Sequence, residues 1–385
     1  MSNGKLFQTI GLLLLLAMAI AFPLLFSNPA VTAIAVFTLL FAAAATGWNI
    51  FAGYTGYIAL GHAAYFGIGA YALAIMCQDW HIAGGYIPFL LVPVAGLLAA
   101  VAAIPLGGIA LRVRRHTFVV ITIAMFFILQ LLAYNLRGLT NGSTGMGLPI
   151  PTDWSGDFFN TPFYYVSLVV LLFAIALSWW VRNSKYGLGL LAIRDDEDRA
   201  LGLGVPVEAS KLSAFVISAL VVGMVGAVWA YFVESIYPPV AFDALFDVAV
   251  TLMAFLGGVG TIAGPILGAL LLEPTQQYFT LQFGQNYYLV IYGAMFLVVI
   301  LLLPRGVIPT LTERWTRLVG TRFIASAGDL SPSPSASDVG TSYDQSGSYS
   351  THAGDLSPSR RETGFIASEQ ASPKEEQTRE EGINL

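Results

Sequence analysis

Long apolar runs separated by short polar or glycine-rich gaps cover most of the chain up to residue 304. Residues 6–32 contain no ionisable group, and residues 34–78 contain only His62. A helix crosses a bilayer core with roughly 20 apolar residues, and in lipid its backbone must satisfy its own hydrogen bonds. The pattern therefore predicts an all-α, polytopic membrane protein with about ten transmembrane helices. They fall near 7–26, 30–50, 57–76, 86–110, 117–136, 162–181, 212–234, 245–258, 264–281 and 286–304. Glycines and polar residues interrupt the third, eighth and ninth, which are expected to be broken or re-entrant. With five spans per half the halves would be inverted, although no residue-level repeat marks them.

Composition agrees: 56% of the 385 residues are hydrophobic and 11% charged, against about 25% charged in a soluble domain. The net charge of −5 is not evenly spread. Acidic and basic side chains balance over 1–319, and the acidic excess lies in 320–385. That split divides the chain into a membrane domain, 1–319, and a tail, 320–385, rich in Ser, Pro, Gly and Glu and expected to be disordered. The tail repeats itself: Ala327-Gly328-Asp329-Leu330-Ser331-Pro332-Ser333 recurs from Ala353, and Phe323-Ile324-Ala325-Ser326 recurs from Phe365. The apolar run after Lys5 reads as an uncleaved first span rather than a signal peptide.

Basic residues orient the spans. With Lys5 inside, ten crossings place Arg112, Arg114, Arg115, the loop 182–211 and everything from Arg305 inside; of 18 Lys and Arg only Arg137 falls outside. Both termini are then cytoplasmic.

Four segments carry candidate chemistry. Gly53, Gly56, Gly61, Gly67 and Gly69 interrupt the stretch that includes His62, Tyr65, Phe66 and Tyr71. Small residues permit close helix packing or an unwound segment at membrane depth. His62 is an intramembrane ionisable group, which is either functional or a neutral histidine bonded to its surroundings. Gly257, Gly258, Gly260 and Thr261, followed by Gly264-Pro265, form a second break. The loop 182–211 holds Arg194, Asp195, Asp196, Arg199, Ala200 and Gly202. Asp195 is placed to cap a short helix there, with Ala200, Leu201 and Leu203 as a small apolar edge, Gly202 or Gly204 to end it and Pro206 preventing its continuation. On the outside, Asn141, Ser143 and Thr144 lie in a polar, turn-rich loop over 140–149.

Other functions are not encoded. No phosphate-cradling Gly-rich loop with Lys and Ser/Thr occurs, no metal-ligand cluster, no nucleophile–His–acid set and no basic aromatic patch for nucleic acid. Cys77 is the only cysteine, which excludes an intrachain disulfide. An ion-coupled transporter remains an alternative, with His62 and Glu273 as its titrating groups; so does a scaffold acting through its tail.

Over roughly 30–310 the chain resembles the permease subunits of branched-chain amino-acid ABC importers. The run from Leu60-Gly61-His62 to Ala70-Tyr71, the loop from Ala192-Ile193-Arg194-Asp195-Asp196 to Lys211, and Leu256-Gly257-Gly258-Val259-Gly260-Thr261 carry the resemblance in order and spacing. It implies a non-enzymatic subunit of a multi-pass importer in the bacterial cytoplasmic (inner) membrane. Its partners would be a homologous second permease, two cytoplasmic ATPases holding ATP and Mg, and an extracytoplasmic solute-binding protein. Arg194, Asp195, Asp196, Arg199, Ala200 and Gly202 would couple to the ATPase. Gly61, His62, Tyr65, Phe66, Tyr71, Gly257, Gly258, Gly260 and Thr261 would line the path, and Asn141, Ser143 and Thr144 would meet the binding protein. Close relatives carry urea or short amides. The acidic pair Asp243 and Asp247, and the tail after 320, depart from the pattern.

Overall fold

A computed structural model describes residues 3–26, 28–150, 154, 159–283 and 293–294. All of them belong to the unit Met1–Ser326. Most of the expected tenth span, 286–304, and the whole tail 320–385 with its repeats lie outside the described residues.

The helices are α1 (Asn3–Leu25), α2 (Pro29–Thr55), α3 (His62–Asp79), α4 (Ile87–Ala110), α5 (Arg115–Asn135) and α6 (Arg137–Thr140). After a 3-10 turn, Gly142–Thr144, and a strand β1 (Met146–Gly147), come α7 (Asn160–Asn183), α8 (Lys185–Asp195), α9 (Glu197–Gly202) and α10 (Val207–Val233). Strand β2 (Ser235–Ile236), α11 (Pro238–Ala241), α12 (Ala244–Gly257) and α13 (Gly264–Phe283) complete the order. Among the described residues six helices are long and apolar enough to cross a membrane: Pro29–Thr55, Ile87–Ala110, Thr117–Asn135, Asn160–Asn183, Val207–Val233 and Pro238–Gly257. The protein is thus polytopic and mostly helical.

The expected third span begins late. Gly56 ends α2 in the left-handed region (φ 74°), its N–H bonded to Ala52 O, a backbone state that glycine adopts without a Cβ penalty. Residues 56–61 run unwound before α3 starts at His62. The all-α expectation needs one addition. Strands β1 and β2 pair antiparallel, Met146 opposite Ile236, and Leu148 N–H donates to Glu234 O at 2.7 Å. This ties the 140–149 loop to the end of α10.

Helix α10 is central, packing on α2, α3 and α4, while α2 also packs on α7 and α13. From Ala42 to Thr55 every residue of α2 is buried. Helices α4 and α5 lie at the periphery and expose Leu90, Val101, Val120, Ile128 and Leu131. For a chain of this composition those are lipid- or partner-facing positions.

Candidate coupling and translocation site

The charged loop folds from its caps outward. Ser184 accepts from Gly187 N–H at 3.1 Å and starts α8. The buried side chains Leu190 and Ile193 seat that helix on the bundle. The chain then turns extended at Asp196 (φ −156°, ψ 112°), whose carboxylate accepts from Arg199 N–H at 3.0 Å and caps α9. The cap is therefore Asp196, not Asp195. Asp195 closes α8, because Asp196 N–H still reaches Ala192 O. Asp196 also pairs with Arg199, and Asp198 with Arg114, each at 3.1 Å in exposed positions that contribute little to stability. Ala200 faces the bundle and is buried, whereas Leu201 and Leu203 are 60% and 82% exposed.

Beneath α9 lies a charge pair between two residues of the 182–211 segment. Lys211 sits in the first turns of α10, and its Nζ is 2.7 Å from Glu197 Oε1. Tyr57, in the unwound 56–61 segment, donates its hydroxyl to Glu197 Oε2, and the Lys211 ammonium lies 4.5 Å from the centre of the Tyr57 ring. Burial raises the Glu197 carboxyl, but the bonds from Lys211 and Tyr57 outweigh it and hold the group below the usual carboxylate range. Three separate chain segments thus meet on one carboxylate.

The second glycine break joins the same end of the bundle. Asn49 of α2 donates to Thr261 O at 2.9 Å and accepts from Gly260 N–H at 2.7 Å. Arg182 donates to Gly260 O at 3.0 Å, and Arg194 donates to Gly53 O at 2.7 Å. Gly260 has φ 82°, and a Cβ there would stand 2.2 Å from Arg194 Nη1. A Cβ on Gly257 would stand 1.6 Å from Gly264 O. Gly257, Gly260 and Thr261 therefore gather with Arg194 from the loop.

Deeper in the bundle, His62 Nε2 lies 2.7 Å from Ser218 Oγ, and the ring packs among Phe51, Tyr65 and Phe215. Gly61 offers no side-chain cap to α3; instead Asp247 of α12 accepts from Ala63 N–H at 3.1 Å. Asp247 and Glu273 are buried, so among the described residues two acidic groups are buried, where the sequence points to Glu273 alone as a titrating acid inside a span. The backbone of the unwound segment is partly occupied: Trp48 donates to Ala59 O at 2.8 Å, and Leu60 N–H donates to Thr122 Oγ1 at 3.3 Å. Tyr71 stacks on Phe242, while Phe66 packs on Phe246 and Trp229. Of the expected path residues, Phe66 borders a cavity. Asn141, Ser143 and Thr144 are exposed on the loop that β1 anchors, far along the chain from these groups.

The pattern of the family described as "Branched-chain amino acid transport system / permease component" matches residues 30–300. The chain belongs to this family. It is a transport permease subunit and not an enzyme. The permease is 28% identical over 327 residues to the high-affinity branched-chain amino acid transport system permease protein LivM of Escherichia coli strain K12, covering 78% of this chain and 75% of LivM. It is 26% identical over 282 residues to LivH of Salmonella typhimurium strain LT2, covering 70% of this chain and 91% of LivH. A shorter similarity, 29% over 143 residues, reaches the autoinducer 2 import system permease protein LsrC of Yersinia pseudotuberculosis, with 35% of this chain and 39% of LsrC covered. No solved structure matches the permease.

Asn49, Tyr57, Glu197, Lys211, Ser218 and Asp247 complete the permease's polar network and were not singled out as site residues from the sequence. Asn49 and Asp247 did carry a signal, each being a strong hydrogen-bonding group inside an apolar run. Tyr57 and Lys211 carried none, since a boundary tyrosine and lysine are ordinary at a membrane interface.

Proposed function

We propose that the permease forms one half of the membrane path of an ATP-driven importer of branched-chain or other neutral amino acids. A homologous permease would be the other half. Two cytoplasmic ATPases would supply ATP hydrolysis with Mg, and an extracytoplasmic binding protein would deliver the cargo onto the loop bearing Asn141, Ser143 and Thr144. In this reading about ten spans cross the bacterial cytoplasmic membrane with both termini inside, arranged as two inverted sets of five, and the tail 320–385 stays in the cytoplasm.

One observation supports it most. The α8–α9 arm presents Leu201 and Leu203 to solvent while its buried side is fastened by Glu197 to Lys211 and Tyr57. Such an arm can pass a push from a soluble partner to α10 and to the start of α3. Arg194, Asp195, Asp196, Arg199 and Gly202 are the coupling residues in this scheme.

The test is reconstitution of the whole importer in proteoliposomes. Charge reversal at Asp195 or Arg199, both exposed, is expected to leave the assembled protein folded and ATP hydrolysis intact while uptake is lost. Normal uptake in those variants sinks the coupling role. Uptake that survives ATP depletion and stops with an uncoupler supports ion-coupled transport instead.

A further inference from the structure

A cavity of about 110 Å³ lies where α2, α3, α10, α12 and α13 meet. Its walls are mostly aromatic: Phe66 and Phe246 have ring centres 4.3 Å apart, Phe66 and Trp229 5.1 Å, and Phe41 and Phe246 5.5 Å. Two polar side chains interrupt the apolar lining, Asp243 and Gln276, and among the described residues no basic side chain lines it. One Asp243 oxygen accepts from Leu245 N–H at 3.0 Å. Gln276 Oε1 is shielded from solvent yet has no hydrogen-bond partner. An unpartnered buried acceptor is costly, as is a half-buried carboxylate without a counter-charge. π-faces beside a carboxylate favour a cation with an apolar body.

We propose that this cavity holds the cargo by its ammonium group. Asp243 and Gln276 accept from the ammonium, and the rings pack the aliphatic side chain. This rests on the amino-acid importer reading and narrows it. The site requires a free amino group on an apolar chain, so it discriminates against urea, short amides and deaminated acids.

The experiment titrates the assembled transporter in lipid nanodiscs, following the part of the tryptophan fluorescence that disappears in Trp229→Phe. L-leucine and 3-methylbutylamine are expected to change that signal, and 4-methylpentanoate, which has the chain and carboxylate but no amine, is not. Asp243→Asn keeps an oxygen to cap α12 and is expected to weaken the leucine response at least ~10-fold, a factor that corresponds to about 1.4 kcal/mol. A 4-methylpentanoate response equal to that of leucine, or an unchanged titration in Asp243→Asn, overturns the proposal. Uptake is measured on the same preparation. A wild-type complex that titrates as described but imports no leucine with ATP refutes the importer reading and leaves the site standing; normal import with no titration does the reverse.

Discussion

Replacing Lys211 with methionine tests the polar fastening under α9 directly. The side chains of Lys211 and Glu197 are 3% and 16% exposed, and their charged atoms are 2.7 Å apart. Unit charges at that separation attract by about 6 kcal/mol at an effective dielectric of about 20, and desolvation of both groups cancels much of this. The variant keeps the volume but leaves Glu197 with only the Tyr57 hydroxyl of its two bonded partners. Breaking one side of a buried pair costs about 3–5 kcal/mol, whereas replacing both sides is often close to neutral. Lys211→Met should therefore cost about 3 kcal/mol, and Lys211→Met with Glu197→Gln should recover more than half of that. The assay is a double-mutant cycle on denaturant unfolding of the purified permease in detergent. A single-variant cost below about 1 kcal/mol, the range of exposed pairs, refutes the assignment of a buried pair. A double variant as unstable as the single one refutes the claim that the stranded carboxylate is what destabilises.

The same carboxylate sets a pH dependence. Its folded-state pKa lies below the unfolded value, so its contribution is present above the ordinary carboxylate range and is lost as pH falls through the lower folded value; the thermal midpoint should fall only on the acid side of that range, and Glu197→Gln should remove this component of the fall. Glycine replacement discriminates packing from loop tolerance: Gly257→Ala places a Cβ 1.6 Å from Gly264 O, while at Gly138 a Cβ meets nothing within 4 Å. Gly257→Ala should abolish accumulation of folded protein in membranes and Gly138→Ala should leave it unchanged, as read by size-exclusion of detergent extracts.

Span positions were legible because the bilayer imposes one length and one polarity. The second, fourth, fifth, sixth and seventh expected spans fall on α2, α4, α5, α7 and α10 within a few residues. The unwound stretch before α3 was legible only as an excess of glycine. Hydropathy cannot show where a helix stops when the residues on both sides are equally apolar. Partnership was not legible either. Lys211 looks like a loop cation in sequence, and becomes a core residue only because Glu197 folds back over it. The 257–261 break likewise reads as a second path element. Its carbonyls meet Arg182 and its amides meet Asn49, pairings between residues far apart in sequence that no local pattern encodes. The position of Asp196 as cap turned on one further helical hydrogen bond, a difference below the resolution of capping preferences.

The bond from Asn49 to Thr261 spans 212 positions of the chain. Helix α2 is apolar enough to enter the membrane as it leaves the ribosome, with a mean hydropathy of 2.0 in its best window. It then carries an unsatisfied side-chain amide until the loop between α12 and α13 has been synthesised. An amide waiting in hydrocarbon seeks any available partner. A loop made late thus completes a helix made early, and a nascent chain stalled before residue 260 would display a polar handle that the finished protein hides.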